Sequence, residues 1–160
     1  ATLHANNSHQ ALNRILNFFP VEVRPTMLND LASSLKAIVS QRLLRTVDGA
    51  RVPAVEVMIN SRLMSELIEK GDFFGVREAL EKSMSEESQT FESDIARLIL
   101  EGKIDRQEGL AHADSPTNLM WRLQNQSVQA RSQSSTDRAA TPAQTPAPTG
   151  PSFSDFKFDA

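Results

Sequence analysis

Three histidines are the first side chains in this sequence to consider for metal binding or phosphate contact. His4 and His9 lie five residues apart across an expected strand-to-helix junction, and His112 is distant, so the three lack metal-ligand spacing. His4 follows apolar residues that read as the end of a buried strand. It precedes Asn6-Asn7 and the start of a helix, where backbone N–H groups attract anions. Ligands of open α/β sheets also bind at the carboxyl ends of strands. His4 is therefore a candidate to contact a phosphate oxygen or a catalytic water; the alternative is a structural histidine bonded to a loop carbonyl.

Glu56 is the second candidate, because it interrupts an otherwise apolar run from Val55 to Ile59. A glutamate among strand residues lies either on the solvated face or against a charged partner. Arg42 and Arg51 are the candidate partners if this region forms a hairpin. We expect a structural ion pair, and direct catalysis by Glu56 is the lesser alternative.

Several common catalytic and binding classes have no motif here. The sequence has no G-x-x-x-x-G-K-[ST] phosphate loop, no G-x-G-x-x-G and no G-x-S-x-G. It has no cysteine, which excludes thiolate catalysis and disulfides and fits a reducing compartment. A net charge of −3 and a pI near 5.6 give no electrostatic case for nucleic acid. No apolar run reaches the roughly 18 residues of a membrane span.

The elements that would position these residues follow from periodicity and capping. The pattern predicts a strand over Ala1–Ala5, a helix over Ser8–Phe19 with Asn7 or Ser8 as N-cap, and a helix from Pro25 to about Arg42. Asp48-Gly49, between the apolar runs Leu43–Val47 and Val52–Ile59, predicts a β-hairpin, with Pro53 near its start or edge. The first strand has no evident parallel partner. The sequence therefore reads as the C-terminal portion of a larger protein.

Short helices are expected after the hairpin. Ser61, Asp72 and Thr90 are candidate N-caps, and Gly71 and Gly102 are candidate helix ends. Asp105 with Glu108 reads as a capping box with Ile104 as its hydrophobic staple, and Ser115-Pro116 opens a last helix. From about Gln126 the composition turns to Ser, Thr, Ala, Gln and Pro, which predicts a disordered tail. Phe153–Phe158 at its end is either a short docking motif or an inert tip.

The order of several separated segments resembles a known family, the twitching-motility ATPases of type IV pili (PilT/PilU), and its PilU branch in particular. The resemblance covers roughly Ala1 to Leu123 and is carried by Leu3–Asn7, Gln10–Pro20, Ile38–Leu44, Asp48–Asn60, Gln89–Phe91, Gly102–Ile104 and Ala113–Ser115. The first two segments match the family's His box. One departure concerns Leu63–Lys70, where the retraction branch carries two arginines that this sequence replaces, which fits an accessory motor.

The resemblance implies an α/β fold: the C-terminal portion of a RecA-like P-loop ATPase core (residues 1–60), a helical subdomain (61–125) and a disordered tail (126–160). It implies ATP and Mg²⁺ as cofactors of the intact protein, with His4 sensing the γ-phosphate. It further implies a homo-hexamer at the cytoplasmic side of the bacterial inner membrane. Expected partners there are the pilus platform protein and the main retraction ATPase, without nucleic acid or membrane insertion. The phosphate loop would lie upstream of Ala1, so this portion alone should be inactive. The competing hypothesis is a non-catalytic helical interaction module.

Overall fold

An antiparallel hairpin stands at the centre of the fold in a computed structural model, which describes residues 2–83 and 87–125. Strands β1 (Ala37–Arg45) and β2 (Arg51–Ile59) pair along their whole length, from Ala37 opposite Ile59 to Arg45 opposite Arg51. Gly49 has a positive φ of 86° at the turn, as the Asp-Gly signal predicts. The hairpin prediction is therefore confirmed, although β1 begins six residues before the predicted run and ends two residues short of it, and β2 begins one residue early.

Helices surround the hairpin. The described residues form α1 (Ser8–Leu16), α2 (Arg24–Ser34), α3 (Arg62–Glu69), α4 (Phe73–Lys82), α5 (Phe91–Leu100), α6 (Arg106–His112) and α7 (residues 116–125), with a short 3₁₀ turn at Val21–Val23. With the hairpin, they make an α/β arrangement, as the sequence predicts.

Pro53 shows how the hairpin tolerates a residue without an N–H. The backbone N–H groups of Val55 and Val57 point away from β1, to the Asp94 carboxylate at 2.8 Å and the Gln89 carbonyl at 2.9 Å. Donors alternate along an antiparallel strand, so position 53 also faces away from β1. The missing donor of Pro53 therefore removes no bond between the strands, in agreement with its predicted edge position.

The prediction of one helix from Pro25 to about Arg42 is wrong. Helix α2 ends at Ser34, and Leu35 adopts an extended conformation before β1 begins. The inward face of β1 carries Ile38, Ser40, Arg42 and Leu44, so two of its four core-facing positions are polar. Those polar positions hide the period-2 pattern, and the leucines and β-branched residues then mimic helical spacing.

The predicted strand over Ala1–Ala5 is also not formed in its described part, residues 2–5. Residues 2–5 have no regular secondary structure, and the described residues contain only the two-stranded sheet. A strand exists only where a neighbour satisfies its backbone groups, and no described segment pairs with these residues.

Local capping signals are largely confirmed. The side chains of Asn7, Ser61, Asp72 and Thr90 each accept a hydrogen bond from the backbone N–H three residues later. Gly71 and Gly102 follow α3 and α5 with φ of 70° and 69°. Helix α1 ends at Leu16 rather than at the predicted Phe19.

The capping box at Asp105 does not form. Asp105 is the N-cap of α6 by position, but its side chain makes no capping bond. Glu108 Oε1 instead accepts the backbone N–H of Arg45 at 2.8 Å, and Ile104 is buried in the core. The glutamate is therefore used to attach α6 to β1.

Two apolar clusters pack on the same inward face of the hairpin, toward its two ends. One joins the hairpin to α5, α6 and α7 and contains Leu44, Ala54, Phe91, Ile95, Ala96, Leu98, Ile104, Leu119 and Leu123. The other joins it to α1–α4 and contains Leu12, Ala32, Met58, Met64, Ile68, Phe73, Val76 and Leu80. The division at residues 60 and 125 stays a prediction, and the tail with Phe153–Phe158 lies outside the described residues.

Candidate functional site

His4 lies on the surface, in the segment that leads into α1. Its side chain is exposed, and its imidazole makes no hydrogen bond or ion pair with the residues that the structure describes. Its backbone carbonyl accepts a hydrogen bond from Arg14 Nη1 at 2.8 Å. The segment is therefore held through its backbone, while the ring is free to face a ligand.

The N-terminus of α1 is occupied by protein groups. Asn7 Oδ1 accepts the backbone N–H of Gln10 at 3.1 Å, and Glu56 Oε1 accepts that of Ser8 at 2.7 Å. A carboxylate at this position interacts favourably with the helix dipole. Two backbone N–H groups in the first turn of α1, which the sequence suggests as anion-binding groups, are therefore already bonded to protein. Any contact with a phosphate in this region must come from other groups.

Glu56 is buried, with 6% of its surface exposed. Burial raises the pKa of its carboxyl group, the Ser8 hydrogen bonds lower it, and the nearby Asp114 and Glu92 carboxylates raise it. The predicted ion pair of Glu56 with Arg42 or Arg51 is wrong. Arg51 lies opposite Arg45 across the hairpin, and Arg42 pairs with Asp114. Glu56 acts instead as an anchor for the start of α1.

Arg42 connects three parts of the fold. Its guanidinium lies 4.0 Å above the centre of the Phe91 ring and donates to the Asp114 carboxylate and to the backbone carbonyl of His112. Its Nη2 also donates to the carbonyl of Asn6 at 3.1 Å, two residues after His4. Only 18% of the Arg42 side chain is exposed, so this charge is held by its partners rather than by water.

Asp114 completes the network. Its Oδ2 accepts Asn7 Nδ2 at 2.9 Å, so the residue that caps α1 is bonded to the loop between α6 and α7. Sequence reasoning did not assign a role to Asp114 or to Arg42 as its partner. A charged residue on the inward face of a strand signals a buried pairing, but the helix predicted to about Arg42 covers residues 37–42 of β1 and hides that signal.

The remaining histidines lie in different settings. Burial, then the charge of Arg77, lowers the pKa of His9. Nδ1 of His112 lies 3.7 Å from the Glu108 carboxylate. Across residues 2–83 and 87–125, no three His, Asp or Glu side chains are arranged to hold a metal ion. In the same part of the chain, every helix is too short or too polar to cross a bilayer.

Comparison with known proteins agrees with the resemblance carried by the motifs. The chain is 42% identical over 120 residues to the type IV pilus ATPase PilU of Pseudomonas aeruginosa, covering 74% of this chain and 31% of that protein. It is 28% identical over 117 residues to the type IV pilus retraction ATPase PilT of the same organism, covering 73% of this chain and 34% of that protein. No family model matches the chain.

Solved structures show the same relationship. The crystal structure of the pilus retraction motor PilT with bound ADP matches 72% of this chain and 32% of its own, at 26% identity and a TM-score of 0.63. The Legionella pneumophila ATPase DotB shares the fold at 22% identity and a TM-score of 0.55, over 66% of this chain and 29% of its own. The chain thus spans about a third of the length of the relatives it matches.

Proposed function

The chain belongs to the PilT/PilU family of type IV pilus ATPases, and we propose from this that it is part of a hexameric motor that retracts pili by hydrolysing ATP. The observation that carries the proposal is the 42% identity with PilU over 120 residues, which is 74% of this chain. The higher identity with PilU than with PilT supports an accessory motor, in line with the replaced arginines in Leu63–Lys70.

His4 is the residue through which this part of the protein would act on the nucleotide. Its imidazole is exposed and its segment is tethered by Arg14 and Arg42, which suits a donor that must meet a phosphate at a fixed place. We expect the ring to donate a hydrogen bond to a γ-phosphate oxygen and so to distinguish ATP from ADP.

Nucleotide affinity tests this role. In the full-length protein, His4→Ala should weaken binding of a non-hydrolysable ATP analogue by about tenfold, the value of one charge-assisted hydrogen bond, and leave ADP affinity unchanged. Gln10→Ala, at an exposed position of α1, is the control and should change neither. Equal losses for both nucleotides, or none, would show that His4 does not sense the γ-phosphate.

ATP and Mg²⁺ are the expected cofactors of the intact protein, in which the metal supplies charge neutralisation at the transferring phosphate. The described residues fit only part of that site, because they offer an exposed imidazole but no carboxylate cluster for the metal. The phosphate loop is absent from the sequence. We therefore expect ATP turnover from the full-length protein and none from this chain alone; hydrolysis by this chain would contradict the assignment.

The open edge of β1 supports a sheet that continues elsewhere in the intact protein. Arg45 donates its N–H away from β2, to Glu108, and the alternation of donors places those of Val39, Gln41 and Leu43 on the same side. Val39 and Leu43 are also 66% and 53% exposed. We propose that further strands of the RecA-like core cover this edge and face.

The expected assembly follows from the same family. We propose a homo-hexamer on the cytoplasmic side of the bacterial inner membrane that meets the pilus platform protein and the main retraction ATPase. Co-purification of the full-length protein with each of the two partners tests these contacts. Specific partner binding without nucleotide binding would instead favour the helical interaction module.

A further inference from the structure

We propose that Arg42 and Asp114 are positioning residues that fix the His4 segment against α6 and α7. This inference rests on the proposed role of His4, but its first test needs no nucleotide. Arg42 and Asp114 stand 72 positions apart in the sequence and meet in an ion pair of which 18% and 25% of the side chains are exposed.

The contacts of Arg42 lead in three directions. One hydrogen bond goes to the Asn6 carbonyl beside His4, one to the His112 carbonyl at the end of α6, and one to Asp114 between α6 and α7. The guanidinium carbon lies 4.0 Å from the centre of the ring of Phe91, at the start of α5. A planar group with several donors in fixed directions can hold these acceptors together, which a lysine ammonium cannot reproduce.

Asp114 holds the same segment from the other side. Its second oxygen accepts Asn7 Nδ2, while the side chain of Asn7 also caps α1. The segment from His4 to Asn7 is therefore bonded at two consecutive residues, Asn6 and Asn7, to one ion pair. Neither Arg42 nor Asp114 reaches the His4 ring in these contacts, so both act by placing its backbone.

Hydrogen exchange on the full-length protein tests the positioning directly. Arg42→Lys keeps the charge but loses the planar set of donors, so the hydrogen-bonded amides of Ser8, Gln10 and Ala11 should exchange about tenfold faster, the equivalent of one charge-assisted hydrogen bond. Amides of β1 and β2 should be unchanged. Unchanged exchange of these three amides would show that Arg42 does not position the segment, and an equal rise in the hairpin would show a general structural role; either result overturns the proposal.

Turnover then tests whether the positioning matters for catalysis. Arg42→Lys and Asp114→Asn should each lower kcat for ATP about tenfold and leave KM within about twofold, since a misplaced group is lost from the transition state more than from the ground state. The double variant should have a kcat no lower than that of the less active single variant, because both substitutions break the same hydrogen-bonded ion pair.

Arg62→Lys is the matched control, because Arg62 forms an ion pair with Glu66 on an exposed helix face and should change neither exchange nor kcat. Faster exchange of the Ser8, Gln10 and Ala11 amides with unchanged kcat would show that placing this segment has no catalytic effect. If His4→Ala leaves nucleotide discrimination intact while Arg42→Lys still loosens the segment, the proposed role of His4 fails and the positioning contact stands.

Discussion

Replacing Phe91 by leucine measures what the guanidinium above its ring contributes to the fold. Phe91 is fully buried, and the centre of its ring lies 4.0 Å from Arg42 Cζ. A swap between large apolar side chains of similar volume costs less than about 1.5 kcal/mol. The lost cation–π contact adds about 0.5–2 kcal/mol, because the pair is largely desolvated. We therefore expect Phe91→Leu to lower the free energy of unfolding by about 0.5–3.5 kcal/mol.

Phe73→Leu is the matched control for this change. Phe73 is also buried, at 5% exposure, but it belongs to the second cluster, which packs toward the other end of the hairpin. Equilibrium urea unfolding at pH 7 should show a larger loss for Phe91→Leu than for Phe73→Leu. A double-mutant cycle of Phe91→Leu with Arg42→Met should give a coupling of about 0.5–2 kcal/mol. Equal losses together with strict additivity would refute the cation–π reasoning.

Three further substitutions test other parts of the site. Burial raises the pKa of Glu56 above its ordinary value of 4.5. Between pH 4.5 and the raised pKa, the folded protein keeps a proton that the unfolded chain has lost. The free energy of unfolding of the wild type therefore falls as the pH rises from 4.5 through the raised pKa. Glu56→Gln removes this loss and should raise Tm relative to wild type at pH 8 but not at pH 4; parallel Tm curves would contradict the assignment. A Cβ at Gly109 would lie 2.6 Å from Ile99 Cδ1 and 2.9 Å from Ile95 Cγ2. The cost of overpacking, about 1–3 kcal/mol, should outweigh the gain in helix propensity of about 1 kcal/mol. Gly109→Ala should therefore lower the midpoint of urea unfolding. A raised midpoint would refute the close packing of α6 on α5. Asn7→Ala loses both the α1 cap and the bond to Asp114, whereas Asn7→Ser keeps a capping oxygen. The alanine variant should therefore be less stable than the serine variant by about 1 kcal/mol in urea unfolding. Equal stability of the two variants would rule out the cap.

Local features of the fold were predictable because local chemistry decides them. Ser61, Asp72 and Thr90 cap helices through bonds that reach only three residues along the chain. Gly71 adopts the left-handed conformation that ends a helix and that few other residues tolerate. Such signals are read from a few adjacent residues, without knowledge of what packs on them.

Features that depend on distant partners were not predictable from spacing. The predicted helix wrongly includes residues 37–42 of β1 because Ser40 and Arg42 occupy inward positions there. Arg42 is stable at such a position through its bonds to Asp114, Asn6 and His112. Glu56 was assigned an arginine partner, but it bonds a backbone N–H 48 residues away. His4 was identified from its place before a helix start, whereas the ion pair that anchors its segment joins positions that no local pattern relates.

ATP turnover by the full-length protein, compared between wild type and His4→Ala, decides whether His4 takes part in hydrolysis. If this chain contributes a phosphate-contacting histidine to a pilus motor, the variant should turn over at about a tenth of the wild-type rate or less, while Gln10→Ala keeps that rate. Turnover by His4→Ala at the wild-type rate would contradict the account.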